Sequence, residues 1–323
     1  MKHAPFIHTS QNAPYIYLTH LAAMVPCVAF AVFYYGIRAI CLLSFCTLMF
    51  VLSDLLFGKI SGRKNTGEYF DVSSIESGLL FGLLLPPDTS LVIALIGVLF
   101  GSIVVKQFFG GAGSNILNPP CAARLFLGVC FPSYVTGYSK PLSSWFKFTT
   151  LLTPSVSEET LPELSELSYS ELFSGLSGGG MGMSCAVLIL LGFVFMAAKG
   201  TIRPYAPAGY ILTILIGYPV FNSSEVFATG GFHSYVAFVA TSGVVFVAVF
   251  FMGDYTTMPS RFMAGIVAGI VCGLLTLILD GRMSSDIMLT APVVAVNFMS
   301  FVFDYFSKTI SRRGKTSREV DVL

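Results

Sequence analysis

Apolar residues run along this chain in long unbroken stretches, and polar positions gather between them. A membrane span needs about 20 apolar residues. Stretches 15–36, 37–57, 89–107, 204–221, 233–252, 260–280 and 286–306 meet that length. Three shorter ones, 74–86, 117–132 and 183–198, are Gly-rich or flanked by Pro. They are too short to cross comfortably as single regular helices. The pattern predicts an all-α polytopic membrane protein of about ten transmembrane helices, some of them broken or re-entrant. Composition strengthens this expectation: the 323 residues are 54% hydrophobic and 11% charged, with a mean hydropathy of +0.79. Soluble domains carry about 25% charged residues.

Charge placement orients the spans. With the N-terminus cytoplasmic and strict alternation, thirteen Lys and Arg fall inside, Lys106 among them. Four fall outside: Arg38, Lys140, Lys147 and Arg282. Arg124 lies within a span. That bias follows the positive-inside rule and puts both termini in the cytoplasm. The opening "MKHAPFIHTSQNAP" is polar and lacks a signal-peptide pattern, so the first apolar run is expected to stay as a span. A net charge of +1 supports no nucleic-acid footprint. The partner that composition demands is the lipid bilayer.

The longest loop, 134–173, lies outside in this topology and holds two Lys against five Glu. Its "LPELSELSYSELF" spaces Leu161, Leu164 and Leu167 as a short amphipathic helix on the membrane surface would. The loop divides the chain into a first membrane repeat, 1–133, and a second, 174–307, followed by a basic cytoplasmic tail, 308–323. Each repeat would hold five spans and one short Gly-rich segment, "SGLLFGLLLPP" or "SGGGMGMSCAVL". Paired segments of this kind point to two inverted five-helix repeats with half helices meeting near the bilayer midplane.

Candidate chemistry is sparse. Seven scattered Cys without a CxxC pair support neither a disulfide framework nor a zinc site. Of four His, only His20 lies in an apolar run, where a satisfied packing role is the simpler reading. No catalytic set and no metal ligands are expected. The stretch "FFGGAGSNILNPPCAA" is an ordinary inside loop or the entry of a broken helix. Gly110, Gly111 and Gly113 allow tight backbone there, and Asn115 and Asn118 can satisfy freed backbone groups or hold a polar ligand. Pro119 and Pro120 suit the first turn of the following helix. Carboxylates at membrane depth are functional candidates by default. Asp54 and Asp304 sit at span ends, and Glu76 lies within the short third segment. Asp71 and Asp254 open or follow spans, and Asp88, Asp280 and Asp286 read as loop residues.

Several of these segments together resemble the RnfD/NqrB family, membrane subunits of Rnf and sodium-pumping NADH:quinone oxidoreductase complexes. "EYFDVSSIESGLLFGLLLPPDTS" is similar to the family's Asp-x-Ser segment and Leu-Pro-Pro run. "KQFFGGAGSNILNPPCAARLFL" is similar to its GGxGxNxxNPA motif, with Pro120 for the Ala. "FATGGFHSYVAFVATSGVVFVAVFFMGDYTTMP" is similar to its late Gly-Gly and TDPxTxP elements, and "AVNFMSFVFDYF" to its closing Asn…Asp element, here Asn297 and Asp304. The length fits the shorter D-type member of the family. The resemblance implies a component of a bacterial inner-membrane complex, with other subunits as partners and electron transfer coupled to Na⁺ or H⁺ translocation. It also implies FMN carried covalently on a Thr, and riboflavin as a second cofactor. Asp71, Gly110, Gly111, Asn115 and Asn118 become cofactor-binding candidates. Asp254 and Asp304 become ion-path candidates.

The chain also departs from that pattern. The family attaches FMN at Asp-x-x-Ser/Thr-Gly-Ala/Ser-Thr. "KFTTLLTPS" aligns Thr153 with the acceptor but puts Lys147, Leu151 and Leu152 at the other positions. Met183 stands where the family has Glu, and Glu76 where it usually has Thr. Two other functions stay open on the sequence: a small-solute channel or carrier, and a structural member of the complex that has lost its covalent flavin.

Overall fold

The computed structural model describes residues 12–62, 71–135, 180–183, 185–223 and 231–320. Every regular element among them is helical. The elements are α1 (Ala13–Ile60), α2 (Val72–Leu84), α3 (Leu91–Leu99), α4 (Pro119–Cys130), α5 (Pro132–Val135), α6 (Ala186–Ala198), α7 (Tyr205–Phe221), α8 (Gly231–Thr241), α9 (Val244–Phe246), α10 (Phe262–Leu279) and α11 (Ser285–Val320). π-Helical turns extend α3 over Phe100–Gln107 and α9 over Val247–Phe251.

Helix α1 folds back on itself. Gly36 has φ 62° and ψ −142°, a conformation open essentially to Gly. On either side of it, His20 bonds to Glu76 and Asp54 bonds to Ser74, two neighbours on α2. Along a straight helix, residues 20 and 54 would stand roughly 50 Å apart. The arms 13–35 and 37–60 therefore run antiparallel, each close to the length of a bilayer core. The break falls where the apolar pattern sets a span boundary, at residue 36.

By length and composition, α1, α10 and residues Ser285–Ser311 of α11 are apolar enough to cross a membrane. The pair α8–α9, bent 45° at Gly243, adds another if it counts as one span. The remaining apolar helices are shorter, at 10–17 residues. Their lipid-facing side is greasy: Leu190, Leu191 and Val194 of α6 and Leu212 and Ile216 of α7 are exposed. Close packing comes from small residues, as membrane interfaces require. A Cβ on Gly209 of α7 would lie 2.6 Å from the Ile266 carbonyl oxygen of α10.

Helix α2 is 13 residues long, roughly 20 Å, and ends inside the protein at Leu85-Pro86-Pro87. Non-helical backbone at this depth needs internal partners. The Gly-rich segment 180–183 supplies them: Gly182 N–H donates to Leu83 O at 2.9 Å, and Met181 N–H to Leu85 O at 3.2 Å. Arg124 Nε donates to Leu84 O at 3.2 Å. The two short Gly-rich segments of the sequence thus meet each other. Arg124, expected within a span, is fully buried and pairs with Asp286 at 2.5 Å. Asp286 and Asp88, expected in loops, are both paired, Asp88 with Arg38.

Candidate functional site

The segment 108–118 is irregular backbone between two helices. It leaves the π-helical turn through Gly110 and Gly111, whose φ values are 110° and 92°. Gly111 N–H closes that turn on Lys106 O at 3.1 Å. The segment ends where Asn118 caps α4: its Oδ1 accepts from Cys121 N–H at 3.3 Å, with Pro119 and Pro120 in the first turn. Both roles agree with the sequence reading.

Asn118 also ties three segments together. Its backbone N–H donates to Asn297 Oδ1 of α11 at 3.1 Å, and its Nδ2 donates to Asp254 Oδ2 at 3.1 Å. Asp254 follows the second π-helical turn. Thr257 Oγ1 donates to Asp254 Oδ2 at 2.8 Å, and Thr256 N–H to Oδ1 at 2.9 Å. The two irregular segments that follow the π-helical turns therefore touch through one Asn–Asp contact.

Beside that contact lies a polar cavity of about 20 Å³. Glu76, Ser73, Ser77, Tyr17, Asn115 and Asp254 are among its lining residues. Ser73 Oγ and Asn115 Oδ1 are buried without a hydrogen-bond partner among the described residues. Glu76 meets His20 from α1, with Nδ1 to Oε1 at 2.9 Å, and His20 Nε2 reaches Thr201 O at 3.3 Å. The volume suits a single water. Pockets for organic ligands are of about 300–1,000 Å³, so a flavin ring system does not fit here. A larger apolar groove of about 380 Å³ between α6, α7 and α9 is lined by Leu190, Phe193, Ile211 and Val249. It offers almost no polar group to orient one.

A second buried cluster gathers around Ser74 of the same helix. Lys106 Nζ donates to Asp54 Oδ2 at 2.5 Å and to Ser74 Oγ at 2.7 Å. Ser102 Oγ donates to Asp54 Oδ1 at 2.8 Å, and Ser74 Oγ donates to Oδ2. Lys106 and Asp54 side chains are 1% and 2% exposed. The charge pattern counts Lys106 among the cytoplasmic loop residues, and the structure buries it instead.

Of the other candidates, Asp71 is the N-cap of α2, accepting from Ser73 N–H at 3.0 Å. Asp304 receives the Ser260 and Arg261 N–H groups at 3.1 and 3.2 Å, which holds the start of α10. Thr153 lies outside the described residues, as do the loop helix expected at 161–167 and Asn65. Met183 packs under Gly243, where a Cβ would meet its Sδ at 2.7 Å. All seven Cys are free thiols. No group of three or more metal-ligating side chains occurs among the described residues. The sequence reading did not bring together His20 with Glu76 or Asp54 with Lys106. The one local signal was a Lys at the end of an otherwise apolar run.

Comparison with known proteins extends the picture. The model of the NQR2, RnfD, RnfE family matches residues 1–311. The chain is 30% identical over 279 residues to the D subunit of the Na⁺-translocating ferredoxin:NAD⁺ oxidoreductase complex of Acetobacterium woodii, covering 85% of this chain and 83% of that protein. It is 25% identical to the D subunit of the proton-translocating ferredoxin:NAD⁺ oxidoreductase complex of Clostridium ljungdahlii, over 95% of this chain and 94% of that one. The B subunit of the Na⁺-translocating NADH-quinone reductase of Klebsiella pneumoniae is 25% identical, over 82% of this chain and 65% of its own length.

Proposed function

The chain belongs to the NQR2, RnfD, RnfE family and is a multi-pass bacterial membrane protein. From that premise we propose that it is the D subunit of an Rnf-type complex, taking part in electron transfer coupled to Na⁺ or H⁺ translocation. The observation that carries the reading is likeness along nearly the whole chain, in order, to the D subunits of two such complexes. Its partners are the other subunits of the complex. The proposed architecture is ten spans in two inverted five-helix repeats, both termini cytoplasmic. The meeting of 83–85 with 180–183 supports that pairing.

FMN on Thr153, outside the described residues, is the proposed redox group, and bound there it would supply one-electron steps. The protein's own part lies in the membrane. Asn118, Asp254 and Asn297 hold the two irregular segments in register, and Glu76 and Asp254 border a water-sized space through which an ion can be handed on. Because that space does not admit a flavin, we assign Asn115 and Asn118 to the ion path rather than to riboflavin.

The test is intact mass and in-gel flavin fluorescence of the denatured chain, co-expressed with a flavin transferase, beside Thr153→Val. Covalent flavin present in the parent and lost in the variant is the expected result. No covalent flavin in either would overturn the FMN assignment. It would favour a structural role in the complex instead, a second reading to which the unfavourable residues around Thr153 point.

A further inference from the structure

We propose that His20 and Glu76 form a proton-binding site, holding one shared proton beside the cavity, so that the ion handled there is H⁺. This deepens the ion-translocation reading above and rests on it. The bonding itself counts the proton. Thr201 O is a carbonyl and can only accept, so the bond to His20 requires a hydrogen on Nε2. Nδ1 then has two states. If the imidazole is neutral, Nδ1 accepts, and Glu76 must be the protonated donor. If Glu76 is a carboxylate, Nδ1 must carry hydrogen and the ring is imidazolium. In both states one proton lies between Nδ1 and Oε1, 2.9 Å apart, and the pair is neutral overall.

Removing that proton leaves a carboxylate facing a nitrogen lone pair, or forces the tautomer that gives up the Thr201 bond. The pair therefore has a loaded and an unloaded form that differ in hydrogen bonding, as a proton carrier requires. A metal cation at Oε1 would have to displace the hydrogen that this oxygen shares with Nδ1. The surroundings permit release. Glu76 borders the cavity, and so does Ser73, which is 4% exposed and has an Oγ without a partner among the described residues. Among the described residues, Tyr17 from α1 and Asp254 line the same cavity, and Lys106, held on Asp54 and Ser74, acts on Glu76 only through its charge. Asp71 stands near Tyr17.

The test uses bacterial membranes containing the full chain and a lipid-soluble carbodiimide, which couples to protonated carboxyl groups in apolar surroundings. Peptide mass analysis reads labelling at Glu76. We expect labelling that falls about tenfold per pH unit above a midpoint, the slope of one proton. It should be the same in sodium chloride and in choline chloride. His20→Gln should move the midpoint, and Glu76→Gln should abolish the labelled peptide. Protection by sodium chloride would make this a Na⁺ site and overturn the proposal. So would pH-independent labelling, or an unlabelled Glu76 where another carboxyl of the same chain reacts. The wild-type salt comparison decides even if neither variant folds. Covalent flavin plays no part in this readout, so an unflavinylated Thr153 would leave the result interpretable.

Discussion

Asp54 and Glu76 are carboxylates buried against the same stretch of α2, yet their surroundings differ in kind. Asp54 receives Lys106, Ser102 and Ser74 together, so its charge is neutralised and both its oxygens are engaged. Glu76 has one imidazole partner, and beside it stand a hydroxyl and an amide oxygen with none among the described residues. A buried polar atom left unpaired costs about 1–3 kcal/mol. A fold that saturates one cluster and leaves its neighbour short uses the two differently: the first fastens α1, α2 and the π-helical turn together, and the second keeps a place for something that comes and goes.

Removing the fastener should have the largest effect. Lys106→Met strands the Asp54 carboxylate at 2% exposure, and a buried charge deprived of its partner costs about 3–5 kcal/mol. Detergent-solubilised protein should melt much earlier, and little folded chain should reach the membrane. The pair Asp54→Asn with Lys106→Met should recover most of that loss, since two neutral residues leave no orphan charge. A single variant as stable as the parent would end the comparison.

Asn118→Leu comes next, and it strikes the open side. It removes the cap of α4, about 1 kcal/mol, and a bond to the Asp254 carboxylate, about 1.5–3 kcal/mol. Thermal melting should register the sum, and ion translocation by the assembled complex should fall with it. The control is Asn65→Leu, which the sequence pattern sets between the apolar runs ending at 57 and starting at 74, and a change within about 0.5 kcal/mol is expected there. Equal effects at the two positions would remove Asn118 from the site.

Much of the fold could be read in the sequence because the signals are local. Apolar run lengths placed most helices to within a few residues, the fold-back falls at Gly36, and Asn118-Pro119-Pro120 opens a helix as capping chemistry dictates; the exception is α11, which continues past the expected span end at 306 through the basic tail to Val320. The pairings could not be read that way. His20 meets Glu76 across 56 residues and Thr201 across 181, and Lys106 meets Asp54 across 52. Spacing along the chain carries no trace of such contacts. Lys106 shows the difficulty most plainly: a Lys closing an apolar run satisfies the positive-inside pattern whether it faces water or an aspartate. The Asn–Asp contact was half visible, since both residues stood out in motif positions, but nothing in the sequence put one against the other.

The sharpest version of the comparison makes one substitution on each side. Ser102→Ala removes a 2.8 Å bond to the Asp54 carboxylate; hydrogen bonds to charged groups are worth about 1.5–3 kcal/mol, so melting should fall measurably. Ser73→Ala removes a hydroxyl that is just as buried but bonded to nothing among the described residues. If that hydroxyl serves only the cavity, its loss should leave melting within about 0.5 kcal/mol of the parent, or raise it slightly. Ion translocation by the complex should still drop, because the cavity loses a donor and acceptor at the point where a proton leaves Glu76. Stability unchanged with transport impaired marks a residue kept for traffic rather than for packing. If Ser73→Ala destabilises as much as Ser102→Ala, both sides are structural, and the contrast between Asp54 and Glu76 is only one of degree.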